Sequence, residues 1–371
     1  MSGPAADDER FMAAAIRLSR RNLGRTSTNP SVACIIVRDD VIVGSAVTAP
    51  GGRPHAEAQA LAIAGEAARG ATAYVTLEPC SHHGKTPPCA DALIASGIAR
   101  VVVAVTDPDE RVAGRGLSML RDAGIVVETG LLETEGKAAL AAYLTRQTKK
   151  RPHVTLKLAV STDGMLGRLG VGQVAITGAV SRGQVHVLRA ETDAILVGIG
   201  TALADDPELT CRLPGLEVRS PVRIVLDPRL ELPPASKLAR TALIVPVIAV
   251  TAKDDRDDPA FVARQEALEA LGVEVLICDP RKLDALLTAL ATRGISSLLV
   301  EGGARTARSF LEAGLVDRIQ LFNGAVALGK DGVASPFVSG PCVSGQMPEG
   351  FALCRTARYG ADNFEEYERD D

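Results

Sequence analysis

His55-Ala56-Glu57, answered by Glu78-Pro79-Cys80 and then by Cys89, is the stretch on which the reading of this chain turns. One imidazole and two thiols are three soft-to-borderline donors, and a catalytic zinc site takes three protein ligands with a fourth position left to water. The Glu57 carboxylate, two residues beyond the histidine, is placed to handle protons beside that water rather than to bind metal. Singly, each of these residues reads as a core residue of an intracellular protein. In this order, with glycine and proline around them, they read as a metal centre. Ala73 to Leu77 is strand-like and runs into Glu78-Pro79-Cys80, while His55 and Cys89 each open a helical segment, to about Arg69 and Ser96. The ligands thus fall at junctions beyond strand ends, the usual place for a site in an open α/β sheet.

Outward from that stretch the alternation continues. Asp8 to Arg21 has helical spacing of Phe11, Met12, Ala15 and Ile16, and Val32 to Val37 with Val41 to Gly44 predicts a hairpin turning at Asp39-Asp40. Val101 to Val105 and Ile125 to Glu128 read as strands, Gly114 to Asp122 and Glu133 to Gln147 as helices. The basic, proline-stopped run Lys149-Lys150-Arg151-Pro152 is the expected hinge, with domains over 1–149 and 150–371. Beyond it a second α/β pattern begins. Strands are expected at His153–Val160, Ala194–Val197, Val222–Leu226, around Leu243 to Val250, at Val273–Cys278 and at Ser297–Glu301. Helices are expected at Ala179–Ala190, Asp258–Leu271, Leu283–Arg293 and from Gly303 to about Ala313. Strand-like runs at Arg318–Phe322, Gly350–Arg355 and Phe364–Tyr367 end the chain. Strands interleaved with helices of this length specify α/β layers.

At 371 residues, two domains are the natural expectation. Hydrophobic residues make up 46%, enough for two cores, and these are aliphatic because the chain has no Trp, four Tyr and seven Phe. A net charge of -4 offers no field for a polyanion, which argues against nucleic acid and for a small-molecule substrate. The acidic start lacks the pattern of a signal peptide. The most apolar window, Thr241 to Ala252, is too short to span a bilayer. Seven irregularly spaced cysteines do not form a disulfide framework, so a reducing, cytoplasmic setting is expected. Cys34, Cys211, Cys278, Cys342 and Cys354 then read as free, buried thiols.

H-x-E followed by P-C and a second cysteine is the pattern of zinc-dependent deaminases of nucleobases and related rings. Here it stands as P-H-A-E at Pro54 to Glu57 and T-L-E-P-C-S-H-H-G-K-T-P-P-C at Thr76 to Cys89. Asp107-Pro108 and V-A-G-R-G at Val112 to Gly116 follow. With eight residues between the cysteines instead of two, this resembles the bifunctional riboflavin-biosynthesis deaminase/reductases, the RibD family. L-K-L-A-V-S-T-D-G at Leu156 to Gly164, L-A-D-D-P-E-L-T at Leu203 to Thr210 and V-E-G-G at Val300 to Gly303 extend the resemblance over nearly the whole chain.

The resemblance implies a cytidine-deaminase-like three-layer α/β/α domain followed by a dihydrofolate-reductase-like α/β domain, assembled as a homodimer or larger homo-oligomer. It implies two consecutive steps, zinc-dependent deamination of a diaminopyrimidinone ribosylamine phosphate and NADPH-dependent reduction of the ribosyl chain to ribityl. His55, Cys80 and Cys89 would hold Zn2+ and Glu57 would shuttle protons, with Asn29, Lys85 and Asp107 on the deaminase substrate. Ala159, Thr201, Asp205 and Gly303-Ala304-Arg305-Thr306-Ala307 would hold NADPH. Arg189, Leu209, Arg212 and Glu301 would meet the reductase substrate, the two arginines on its phosphate.

Several positions depart from the family pattern. Thr48 stands where a substrate-contacting histidine is common, which shifts phosphate binding toward Lys85 and Arg53. Asp109 replaces a frequent asparagine, Ala175 a tryptophan and Pro228 a cofactor-side serine. Asp163 reads either as the family's turn aspartate or as a purely structural one. Two other readings stay open: a zinc deaminase of another nucleobase-like substrate with a diverged or inactive second domain, and a binding protein with a structural zinc. The second would normally close four protein ligands.

Overall fold

The computed structural model describes residues 4–82, 87–109, 112–252, 257–337 and 349–370. The chain divides into two compact units, Met1–Lys150 and Arg151–Asp371.

In the first unit, β1 (Ala33–Arg38) and β2 (Val41–Val47) form the expected hairpin. Asp39 and Asp40 make its two-residue turn, both in the left-handed region at φ 50° and 61°. Such turns match the twist of the strands they join. β1 also pairs antiparallel with β3 (Thr72–Leu77), and β4 (Arg100–Val105) and β5 (Val126–Thr129) continue the sheet in parallel. The strand order is β2-β1-β3-β4-β5. Helix α1 (Pro4–Ser19) packs on β1 and β3 and touches α5 (Glu133–Ala139), which packs on β4. In another layer α2 (Ala56–Ala64) covers β1 and β2 and contacts α3 (Cys89–Ala95), which meets α4 (Arg115–Asp122). An aliphatic core with Ile36, Val75, Val102, Leu93 and Leu120 fully buried joins these elements. The single helix expected over Glu133 to Gln147 is two, because Leu140 leaves helical geometry at φ -100°, ψ 6° before α6 (Ala141–Lys149) begins. Leu140 is buried, so tertiary packing sets the break without Gly or Pro.

The second unit carries a nine-stranded sheet. Its parallel part holds β6 (His153–Val160), β8 (Ala194–Gly198), β9 (Val222–Leu226), β10 (Val247–Thr251), β11 (Val273–Ile277), β12 (Ser297–Val300) and β13 (Arg318–Asn323). β15 (Phe351–Tyr359) and β16 (Asp362–Arg369) close one side antiparallel, giving the order β11-β10-β9-β8-β12-β6-β13-β16-β15. α7 (Ala179–Ala190), α8 (Ile199–Asp205), α9 (Lys237–Arg240), α10 (Pro259–Glu269), α11 (Leu283–Thr292) and α12 (Ala304–Glu312) connect the strands. A short pair, β7 (Met165–Arg168) with β14 (Gly332–Ala334), stands outside the main sheet.

β7, β14, α8 and α9 have no counterpart in the sequence expectation. The strand expected around Leu243 to Val250 begins only at Val247, and Leu243 and Ile244 are exposed. Asp163 is structural: its carboxylate accepts from the backbone N–H groups of Leu328 and Gly329 at 3.0 and 2.7 Å. Cys34 and Cys211 are buried as expected, but Cys278 is half-buried and Cys354 exposed on the outer strand β15. Cys342 lies outside the described residues. No described helix is long and apolar enough to cross a membrane.

Candidate active sites

The metal-type residues converge at the carboxyl ends of β3 and β4. His55 is the residue before α2 and Glu57 sits in that helix's first turn, where its charge suits the helix dipole. The β3–β4 ladder runs on through the Glu78 N–H, which donates to the Val105 carbonyl at 2.9 Å and carries the chain to Cys80. Cys89 is the first residue of α3. The ligand atoms of His55, Cys80 and Cys89 lie within 4.8 Å of one another. Both sulfurs face His55 Nδ1, at 3.6 Å for Cys80 and 3.4 Å for Cys89.

Glu78 fixes the neighbouring loop. Its buried carboxylate accepts from the N–H groups of Asp107, Gly114 and Gly116 at 3.3, 3.1 and 3.1 Å. Gly116 is required there, since a Cβ would stand 2.1 Å from the Pro79 carbonyl oxygen. Asp107, so held, accepts from the Tyr143 hydroxyl at 2.9 Å and from the Asp109 N–H at 2.9 Å.

A cavity of about 400 Å³ opens over these groups. Asn29, His55, Glu57, Cys80 and Asp107 line it, as expected, together with Arg53, Thr48 and Asp109. Lys85 and His83 lie outside the described residues. Thr48 is buried and closed onto the hairpin: its hydroxyl accepts the Val32 N–H at 3.0 Å and donates to the Val32 carbonyl at 3.3 Å. Tyr143, Arg146 and Gln147, from α6, line the cavity without having been expected. Their sequence signal was faint, since polar residues on an amphipathic helix read as a solvated face.

Burial pushes the Glu57 carboxyl up to about 7, with the neighbouring Cys80 sulfur adding to the rise. The Cys89 thiol, hydrogen-bonded to Cys80, pulls Cys80 down to about 4 while Cys89 itself is pushed up. Burial raises the Asp107 carboxyl, against the hydrogen bonds it accepts.

In the second unit a cavity of about 620 Å³ lies at the carboxyl ends of β6, β8 and β12. Ala159, Arg189, Thr201, Asp205, Arg212, Glu301, Gly303 and Ala304 all line it. Leu209, Arg305, Thr306 and Ala307 do not: Leu209 and Ala307 are in cores, Arg305 is exposed, and Thr306 packs under Gly302. Gly302 permits that packing, since a Cβ there would meet the Thr306 Cβ at 2.5 Å. The Gly303 N–H donates to the Thr201 hydroxyl at 3.2 Å, tying the α12 start to α8. Ala175 lines this cavity, whereas Pro228 does not.

Arg189 is largely withdrawn from solvent, its side chain 11% exposed. It grips Glu301 with two parallel bonds of 2.9 and 3.0 Å and donates to the Thr210 carbonyl at 3.1 Å. Lys157, also lining the cavity, lies 3.8 Å from Glu301. Burial would raise the Glu301 carboxyl, but Arg189 and Lys157 overrule it and hold it down at about 2. Burial lowers Lys157. Lys157 and His186 are cavity residues that sequence reasoning missed. Lys157 sits within the L-K-L-A-V block, and its alternation along a strand was the available signal.

Residues 5–105 match the family model for the cytidine and deoxycytidylate deaminase zinc-binding region, and residues 152–349 match that for the RibD C-terminal domain. A riboflavin biosynthesis protein RibD of Aquifex aeolicus (strain VF5) is 43% identical over 323 residues, covering 87% of this chain and 88% of that protein. The chain belongs to the RibD family. Among solved structures, Acinetobacter baumannii RibD, form 1, is similar with a TM-score of 0.86 and 35% identity, over 99% of this chain and 100% of that one. A Thermotoga maritima diaminohydroxyphosphoribosylaminopyrimidine deaminase/5-amino-6-(5-phosphoribosylamino)uracil reductase is similar at 34% identity and a TM-score of 0.85, over 98% and 99% of the two chains. As a RibD-family member this is a bifunctional enzyme of riboflavin biosynthesis, with a cytidine-deaminase-like unit and a dihydrofolate-reductase-like unit. Neither a deaminase with an unrelated second half nor a binding protein is favoured.

Proposed function

We propose that the first unit deaminates a diaminopyrimidinone ribosylamine phosphate with zinc, and that the second reduces the product's ribosyl chain with NADPH. The observation that carries this is the convergence of His55, Cys80 and Cys89 within 4.8 Å, beside the buried carboxylate of Glu57. One imidazole and two thiols suit zinc and leave one tetrahedral position open. Zinc held there supplies a water acidic enough to act as nucleophile near neutral pH. Glu57 would take one proton from the attacking water and deliver it to the ring nitrogen, then take the second from the oxygen now bonded to the ring carbon and pass it to the amine, which leaves as ammonia. Burial raises this carboxyl above the ordinary carboxylate range, which favours its holding a proton in transit. Asn29 and Asp107 bind and orient the ring in the cavity, with Lys85 on the phosphate.

In the second unit, NADPH supplies the hydride. Ala159, Thr201, Asp205, Gly303 and Ala304 form the wall suited to the cofactor. Arg305, Thr306 and Ala307 support it from the helix behind. Glu301, fixed by Arg189 and Lys157, presents a permanent anion to the substrate's hydroxyl groups, while Arg212 is the cation at the cavity for its phosphate. The family resemblance further supports a homodimer or larger homo-oligomer, and zinc-binding thiols suit the reducing cytoplasm.

The test supplies the diaminopyrimidinone ribosylamine phosphate first without and then with NADPH. Ammonia release in the first stage and nucleotide oxidation in the second are the expected results. Ammonia without subsequent NADPH oxidation would remove the reductase assignment.

A further inference from the structure

The deaminase cavity holds a cation that the proposed chemistry leaves unused. Tyr143, Arg146 and Gln147 stand at i, i+3 and i+4 on α6, so they share one helix face, and all three line the cavity. Tyr143 is committed to Asp107. Arg146 donates from one Nη to the Thr28 carbonyl, which borders Asn29. Its Nε is buried without a hydrogen-bond partner among the described residues.

A guanidinium that leaves a buried N–H unpaired at a cavity wall is completed by an acceptor that the cavity binds. The groups nearby narrow the choice. Thr48 is spent on Val32 and offers no charge. Asp107 is capped by the Tyr143 hydroxyl and Asp109 also faces the cavity, and neither carboxylate can hold an anion, which leaves the arginines of the lining as groups suited to one. Arg53 is the other described arginine of the cavity, but its field acts on the ligand His55 and so belongs to the reacting end.

We propose that Arg146 determines specificity by recognising the phosphate of the deaminase substrate. The inference rests on the deaminase reading given above. It gives the last helix of the unit a part in phosphate binding beside Lys85, in a cavity where Thr48 stands in place of the family's histidine.

The test uses the full-length, zinc-loaded protein and measures ammonia release from the phosphorylated substrate and from its dephosphorylated counterpart. Arg146→Gln should lower the ratio of the two kcat/KM values by about 10- to 100-fold, mostly through KM. Arg146→Lys should retain part of the preference, since it keeps the charge but loses the fork. Inorganic phosphate should inhibit the wild type more than Arg146→Gln. An equal loss with both substrates would mean that Arg146 only clips the Thr28 carbonyl, and would overturn the inference alone. A wild type that deaminates neither compound would overturn the functional reading, and this inference with it.

Discussion

Glu57 and Glu301 are both carboxylates withdrawn from water, each at the cavity of its own unit, and their surroundings drive them in opposite directions. Around Glu57 burial and the neighbouring Cys80 sulfur outweigh the pull of His55, and the carboxyl rises to about 7. Around Glu301 the same burial meets a bidentate guanidinium and an ammonium, and the carboxyl falls to about 2. Desolvation is common to both; the partners decide the sign. The first carboxyl is thereby fitted to carry protons, and the second to remain an anion and hold its neighbours in place.

The sharpest way to break this contrast is to remove the proton-carrying carboxyl. Glu57→Gln should reduce deamination by about 10²- to 10⁴-fold while zinc stays bound, as read by ammonia release and metal analysis. Near-normal turnover would refute the assignment. Glu301→Gln should behave differently, because it strands Arg189 and Lys157 without a counter-charge. A loss of about 3–5 kcal/mol in the second unit is expected by denaturant titration. Since the folded pKa of Glu301 lies below its ordinary value, its stabilisation is fully present above about pH 4.5 and is lost as pH falls toward about 2. The gap between wild type and variant should therefore be flat from neutral pH to about 5 and narrow below that; a gap that widens on acidification contradicts the ion-pair account.

A smaller effect probes the scaffold of the first cavity. Gly116→Ala should cost about 1–3 kcal/mol, since the new methyl collides with the Pro79 carbonyl beside ligand Cys80, and it should weaken zinc retention against a chelator. The mildest is Thr201→Val, which removes the acceptor for the Gly303 N–H. It should raise the KM for NADPH several-fold, corresponding to about 1 kcal/mol, with deamination unaltered.

The metal ligands and Glu57 were legible because their chemistry tolerates few residue types and their spacing is tied to strand ends. The strands of both sheets were legible for a related reason: β-branched runs bounded by turns have few other uses. What escaped depended on tertiary contact. Leu140 breaks a helix without a breaker residue, and α8 begins in Ile199-Gly200-Thr201, where glycine argues against a helix. Leu243 and Ile244 are apolar yet exposed, so periodicity misplaced the start of β10. Arg189 could be read as a surface charge until Glu301, 112 positions away in sequence, was seen to meet it. Tyr143 and Arg146 reach a cavity whose other walls come from distant segments, and no local pattern announces that.

The placement of α6 has a bearing on how the deaminase half can be separated from the rest. The zinc-binding family match ends at residue 105, within the last residues of β4, and a truncation drawn there would keep every metal ligand. It would discard Asp107, the loop that Glu78 anchors, and the helix bearing Tyr143 and Arg146. It would also lose β5 and the core residues Leu117, Leu120 and Leu140, on which the elements carrying the ligands pack. A portable deaminase module has to run through Lys149, because part of the cavity wall and of the core lies beyond the zinc-binding match.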